Sequence, residues 1–228
     1  MINLKNVTLC IVDCKNYNEA AASIIYSSNF CNITFAKSLF ISDLEHEKLK
    51  KYNIDFVKIN KISNIESYNN FIIKELHKYI DTNHLLIIQY DGFIYKSEKW
   101  NDEFLQYDYI GAPWHTPPVS ISNSLVGNGG FSLRSKKIMF EVSNIAGNEV
   151  INSPEDVFIS CINRDFLEKT GFVFATPDIA AKFSTEQSTT ETFLIDYESF
   201  GFHLVKGSSI IKHINHRNKV YEDIYKNW

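Results

Sequence analysis

The sequence predicts an α/β fold in which helices flank a central sheet, and three observations point to it. Apolar segments of strand length alternate with segments of helical periodicity along the chain. Leu85 to Ile88 is continuously apolar, as expected of a strand covered on both faces. A single acid closes that run, Asp91 in His84-Leu-Leu-Ile-Ile-Gln-Tyr-Asp-Gly-Phe93. Ligands of open α/β sheets gather where such strands end, so the same run marks where chemistry can sit.

Taken in order, Val7 to Asp13 reads as a strand, Tyr17 to Ser27 as a helix, and Ile33 to Phe40 and Ile54 to Ile59 as two further strands. Ser63 and Glu66 form a capping box for the next helix, whose Ile65, Tyr68, Ile72, Leu76, Tyr79 and Ile80 fall on one face. That helix leads into the strand ending at Asp91. A short helix over Trp100 to Tyr107 precedes a strand in Tyr109-Ile-Gly-Ala-Pro113, and the prolines around Trp114 and His115 make the segment to Ser124 a surface loop. Three glycines lie in Gly127-Asn-Gly-Gly130, and Phe131 to Arg134 continues as a strand. Lys136 to Ala146 has helical spacing. Ser153-Pro-Glu-Asp156 reads as a helix start with Ser153 at the N-cap and Pro154 at the first helical position; Gly171 ends that helix. Phe172 to Ala175 is strand-like, Asp178 to Phe183 forms a helical turn, and Gly201-Phe-His203 precedes a polar tail.

Length and charge exclude several classes. The 228 residues suit one α/β domain with a C-terminal extension. A formal net charge of −4 argues against nucleic acid as a partner, because no basic face is evident to neutralise phosphates. Cys10, Cys14, Cys31 and Cys161 contain no C-x-x-C pair and read as reduced thiols, giving neither a zinc site nor a disulfide framework. No stretch has the length of a membrane span and no signal segment precedes the first strand, so a cytoplasmic location is expected. Neither G-x-G-x-x-G nor a P-loop motif follows the first strand, which leaves dehydrogenases and P-loop enzymes unsupported.

The acid at Asp91 has two readings. A carboxylate at the mouth of a buried strand can hold Mg or Mn against a diphosphate, and an Asp-Gly pair is also ordinary turn chemistry. The glycines of residues 127–130 permit close backbone approach to a ligand or simply form a tight turn.

A resemblance runs from about Tyr68 onward. Tyr68-Asn-Asn, Leu86-Ile-Ile-Gln-Tyr-Asp-Gly-Phe93, Tyr107-Asp-Tyr-Ile-Gly-Ala-Pro-Trp114, Val126-Gly-Asn-Gly-Gly-Phe-Ser-Leu-Arg-Ser135, Pro154-Glu-Asp-Val157, Phe183-Ser-Thr-Glu186 and Phe200-Gly-Phe-His203 together resemble a family of bacterial glycosyltransferases associated with capsule and O-antigen synthesis. The Gly-rich segment followed by Glu-Asp-Val is also similar to inverting galactosyltransferase and fringe-like enzymes. The resemblance implies a single GT-A-like, Rossmann-like domain over residues 1–228, with a mixed central sheet, a nucleotide-binding half to about 93 and an acceptor-binding half with a C-terminal tail beyond it.

It also implies roles for individual residues. Asp91 matches the metal-binding acid of the Asp-x-Asp motif, with His203 completing the shell of a divalent cation, Mn or Mg. Only one acid of that motif is present, since neither Gln89 nor Phe93 can stand in for the second. Asp156 is the candidate base, and Glu155 could exchange roles with it. Asp13 would accept from the nucleotide base, Gly129 and Gly130 would lie against the donor, Asn128 would contact the acceptor, and Trp114 would either stack on an acceptor ring or anchor its loop. His213, His216, Arg217 and Lys219 read either as neutralising a diphosphate or as a solvated tail face.

The implied activity is nucleotide-sugar-dependent, inverting hexosyl transfer in bacterial surface-polysaccharide synthesis. A UDP-sugar is the expected donor and a glycan or lipid-linked glycan the expected acceptor. Partner domains of an assembly system and a peripheral position at the inner membrane fit the same picture. Sugar nucleotidyltransferases are disfavoured because Val7 to Tyr17 contains no glycine to grip a triphosphate. The alternative reading is a GT-A-like glycan-binding or partner module without turnover.

Overall fold

The computed structural model describes residues 1–120, 122–204 and 210–228. β1 (Ile2–Val12) leads into α1 (Tyr17–Asn29), followed by β2 (Ile33–Ser42), β3 (Asp55–Lys58), α2 (Ile65–Lys74) and β4 (His84–Ile88). These four strands are parallel, and β1 lies between β2 and β4. The chain therefore steps outward through β2 and β3 and then returns to the other side of β1. Such a reversal of strand order opens a crevice at the carboxyl ends of the two strands that flank it.

The next elements are β5 (Gly92–Ile94), β6 (Tyr109–Ile110), β7 (Phe131–Ser135) and α3 (Lys136–Ala146). β7 is antiparallel to β4, with Phe131 opposite Ile88, so the start of β7 lies at the same edge as the end of β4. This brings residues 127–130 to the crevice. With β6 antiparallel on β7, the sheet is mixed, in the order β3-β2-β1-β4-β7-β6.

Beyond α3 come α4 (Glu155–Val157), a π-helical turn at Phe158–Ile162, α5 (Arg164–Lys169), α6 (Pro177–Phe183), β8 (Ser184–Thr185), α7 (Thr190–Leu194), β9 (Gly201–His203) and α8 (Ile211–Tyr225). A second sheet has the order β5-β9-β8, with Gly92 opposite His203. That pairing sets His203 next to the residue following Asp91.

Alternation along the central strands supplies both cores. Leu9, Ile11, Leu86 and Ile88 face one apolar layer with α1 and α8, whereas Cys10, Val12, Leu85 and Ile87 face the other with α2 and α3. Leu85 to Ile88 is at most 1% exposed, so the strand is covered on both faces as its sequence predicts. Each such side chain contributes roughly 1.5–3 kcal/mol of transfer free energy.

Several expectations about elements are corrected. Asn64, not Ser63, caps α2, accepting from the Ser67 amide at 2.8 Å, and Ile65 is 69% exposed rather than part of the buried face. The helix stops at Lys74 and tightens into a 3-10 turn at Leu76–Tyr79. Trp100 to Tyr107 contains 3-10 turns, and Phe172 to Ala175 gives only an isolated bridge from Phe174 to Tyr109. The helix expected from Ser153 to Gly171 is broken into α4, the π turn and α5, with Pro154 just outside it. The polar tail is largely α8; its stretch at residues 205–209 lies outside the described residues.

Candidate active site

At the reversal point, a cavity of about 650 Å³ opens between the ends of β1 and β4, lined among others by Asp13, Lys15, Lys61, Asn64, Gln89 and Tyr90. Asp13 stands on its wall. Its carboxylate accepts from the amides of Lys15 and Asn16 at 2.7 and 2.6 Å and from Asn16 Nδ2 at 3.2 Å, holding the turn into α1. Gln89 is tied to Tyr68, Nε2 donating to the phenol at 3.1 Å.

One step further along the edge, Asp91 and His203 meet. His203 Nε2 lies 3.2 Å from Asp91 Oδ1, and Nδ1 lies 3.3 Å from Glu186 Oε1. Burial works against a charge on this ring, but the two carboxylates overcome it and lift its pKa to about 10. Glu186 is itself 7% exposed and belongs to this cluster. The sequence displayed it at the end of Phe183-Ser-Thr-Glu186, but nothing there gave it a partner.

The glycine-rich segment joins this pair to the acids of α4. The Gly129 amide donates to Asp156 Oδ2 at 3.0 Å, and a Cβ on Gly129 would stand 1.8 Å from Glu155 Oε1. A Cβ on Gly130 would stand 2.4 Å from His203 Nε2. These two positions admit only glycine because side chains of the site occupy the space a methyl group would fill. Asp91, His203, Gly130, Gly129 and Asp156 thus form one continuous run of contacts.

The adjacent acids of α4 differ sharply in their surroundings. Glu155 is paired with Arg134, which is completely buried: Nη1 lies 2.6 Å from Oε2 and Nη2 3.0 Å from Oε1. Burial opposes the charge on Arg134, yet Glu155 beside it holds the guanidinium protonated, and the Tyr109 ring lies 5.0 Å from its centre. Asp156 is only part-buried and accepts from the amides of Val157 and Gly129. Burial raises its carboxyl above the ordinary aspartate value, against those two amides and Arg134. Burial raises the Glu155 carboxyl too, against Arg134, so what separates the two acids is the ion pair: Glu155 is clamped by an arginine and Asp156 is not.

Four residues expected to touch ligands are engaged within the chain. Trp114 is 8% exposed, packed with Val157 and Cys161 and laid over Gly127, so its ring anchors the loop and has little free face for a sugar. Asn128 is buried; its Oδ1 accepts from the amides of Gly130 and Phe131, and its Nδ2 faces His203 Nδ1 at 3.3 Å. With these bonds and the one to Asp156, the amides of Gly129 and Gly130 are committed within the chain and are not free to cradle a donor. On α8, His213 and His216 are brought down to about 4 by burial and are neutral, while Lys219 pairs with Asp223 at the surface.

Asp91 Oδ1 is buried and has no hydrogen-bond partner, although His203 Nε2 lies 3.2 Å away. An orphaned carboxylate oxygen beside a histidine nitrogen suits a hard cation, although no set of three His, Cys, Asp or Glu side chains among the described residues could hold one. Asp91 and His203 would supply part of the shell of such a cation.

Comparison with known proteins agrees with this architecture. Residues 51–203 match the family described as "Protein of unknown function (DUF5672)". A galactosyltransferase, LgtC, solved with donor and acceptor sugar analogues, superposes with a TM-score of 0.58 at 12% identity, over 93% of this chain and 95% of that one. A glycosyltransferase involved in glycosylating the major capsid of PBCV-1 gives 0.54 at 12% identity, over 93% and 98%. The apo-form glycosyltransferase GlyE of Streptococcus pneumoniae TIGR4 gives 0.54 at 10% identity, over 97% of this chain and 64% of that one. No curated protein matches the sequence. The shared property is the fold, a single GT-A-type α/β domain with a mixed sheet flanked by helices.

Proposed function

We propose that this chain, which belongs to the DUF5672 family, transfers a hexose from a nucleotide diphosphate sugar to a glycan acceptor with inversion at the anomeric carbon. The observation that carries the reading is the run of contacts from Asp156 through Gly129 and Gly130 to His203 and Asp91. It joins a part-buried carboxylate to an acid–histidine pair near the carboxyl edge of the sheet, next to the cavity lined by Asp13 and Tyr90.

Asp156 is the base in this reading. The acceptor hydroxyl attacks the anomeric carbon and its proton passes to the Asp156 carboxylate. The bond from that carbon to the diphosphate oxygen breaks, and its electron pair departs with the nucleoside diphosphate. Asp91 and His203 would hold Mn or Mg, which when bound neutralises charge on the departing diphosphate. Asp13 and the cavity at the β1–β4 crevice receive the nucleotide, UDP being the first one to try. Glu155 acts on Asp156 only indirectly, by fixing α4 through Arg134. No helix among the described residues is long and apolar enough to cross a membrane. A role in bacterial capsule or O-antigen assembly rests on the motif resemblance.

The test is turnover with a panel of nucleotide sugars. Asp156→Asn should lower transfer or donor hydrolysis by about 10²–10⁴-fold while donor affinity persists. NMR of the product should show the anomeric configuration opposite to the donor. Wild-type turnover by Asp156→Asn would overturn the assignment. Gln89, at the position where the resembled motif carries an acid, favours a second reading as a glycan-binding module; saturable glycan binding with no donor binding would select it.

A further inference from the structure

The C-terminal helix is fastened to the turn that carries Asp91. Tyr221 on α8 donates from its hydroxyl to the Tyr90 carbonyl at 2.7 Å, and its ring meets Phe93 edge-on with centroids 5.6 Å apart. Arg217 stands four residues earlier, on the same face of the helix, and is part-buried. Asp91 raises the Tyr90 phenol above its ordinary value while Arg217 pulls it down, so the charge of Arg217 reaches this turn.

Two other cations near the site are already balanced. Arg134 is taken by Glu155, and His203 lies between Asp91 and Glu186. Lys15 and Lys61 line the cavity on the side of β1 and the loop before α2. Arg217 pairs with no carboxylate among the described residues; its Nε and Nη2 share only Asn218 Oδ1, at 3.2 and 3.0 Å. An arginine whose charge is uncommitted, half-sunk beside the end of a binding strand, has the planar fork that phosphate oxygens fit.

We infer that Arg217 is a diphosphate-binding residue, gripping the phosphate oxygens of the nucleotide where they pass the Tyr90–Asp91 turn. This rests on the glycosyltransferase reading and gives it a source of positive charge that the single acid, Asp91, does not recruit. The fixed guanidinium complements the cation, and part of the diphosphate affinity should persist when metal is removed.

The experiment is calorimetric titration of the full chain with UDP, GDP and dTDP, and with the corresponding nucleosides, with Mn and with a chelator. Arg217→Ala should weaken the best-bound nucleoside diphosphate by roughly tenfold or more and leave nucleoside binding unchanged. Arg217→Lys should recover part of the loss. Lys219→Ala, on the same helix but paired with Asp223, serves as the control for net charge and should bind as wild type does. If wild type binds a diphosphate and Arg217→Ala binds it equally well, this inference fails and the transferase reading stands. If wild type binds none of the three, both fall.

Discussion

Arg134 and Glu155 are joined by two contacts, 2.6 and 3.0 Å long, in a place that water does not reach, and this pair separates the roles of two neighbouring acids. Removing one member of a buried ion pair leaves an uncompensated charge, at a cost of about 3–5 kcal/mol. Glu155→Gln should therefore lower the thermal midpoint of unfolding markedly, and any activity loss should track that destabilisation. Asp156→Asn keeps one acceptor oxygen for Gly129 and gives up the bond from Val157, a loss of about 1 kcal/mol, so it should unfold within a few degrees of wild type while losing turnover. Thermal melts and rates measured on the same preparations check both outcomes; equal stability for the two variants would contradict the division of roles.

Gly130 is predicted to tolerate no side chain. Alanine there would bring a methyl carbon to 2.4 Å from His203 Nε2, displacing the imidazole from Asp91. Overpacking of this kind costs about 1–3 kcal/mol. Gly130→Ala should stay folded, with a lower melting point, and should lose affinity for Mn and for nucleoside diphosphate together. Titrations with each ligand separate this from a purely structural defect, in which the folded fraction would bind normally.

Much of this was legible in the sequence, and what was not has physical causes. The strand ending at Asp91 announced itself because burial on both faces demands an uninterrupted apolar run. The glycines announced a close approach, but the partner of that approach, the side chains of Glu155 and His203, lies in other segments. Which acid of Glu155-Asp156 faces outward depends on Arg134, 21 residues away in sequence, and no local pattern encodes that pairing. Trp114 showed the same ambiguity, since a ring that stacks on sugar and a ring that anchors a loop have the same sequence signature. α8 was hidden for another reason. Its inward positions include His213, Val220, Tyr221 and Ile224, three to four residues apart in part, and histidine and tyrosine among them disguise an apolar face as a polar tail.

His203 gives a stability that falls as pH rises. Its pKa is lifted from 6.5 to about 10 in the folded protein, chiefly by Asp91 and Glu186 acting against burial. The native state therefore binds more protons than the unfolded chain between those two values. The contribution is complete below 6.5 and is lost as pH climbs towards 10. Urea unfolding of the metal-free protein across this range should show the decline, and His203→Gln should flatten it. If His203 holds Mn as proposed, the metal must displace a proton from the same nitrogen, so Mn affinity should rise with pH and binding should release a proton.

His213 and His216 carry the opposite sign. Both are pushed down from 6.5 to about 4, mainly by burial, so in this interval the unfolded chain binds protons that the native state refuses. Stability from these rings is present above 6.5 and is lost as pH falls towards 4. Each shift corresponds to on the order of 3 kcal/mol at most. His213 lies flat on Phe202, with centroids 4.4 Å apart and planes at 5°, and its Nε2 is 3.0 Å from the Tyr197 carbonyl. Phenylalanine can keep the stacking and forfeits only the hydrogen bond, a loss of about 1 kcal/mol that does not vary with pH. The double variant His213→Phe, His216→Phe should therefore be less stable than wild type at neutral pH, yet its stability should decline less steeply on acidification. Denaturant midpoints from pH about 7 to about 4 distinguish the height of the curve from its slope. Equal slopes would mean that the rings already accept protons in the native state, and α8 would then be packed more loosely against the β5–β9 sheet than its contacts imply.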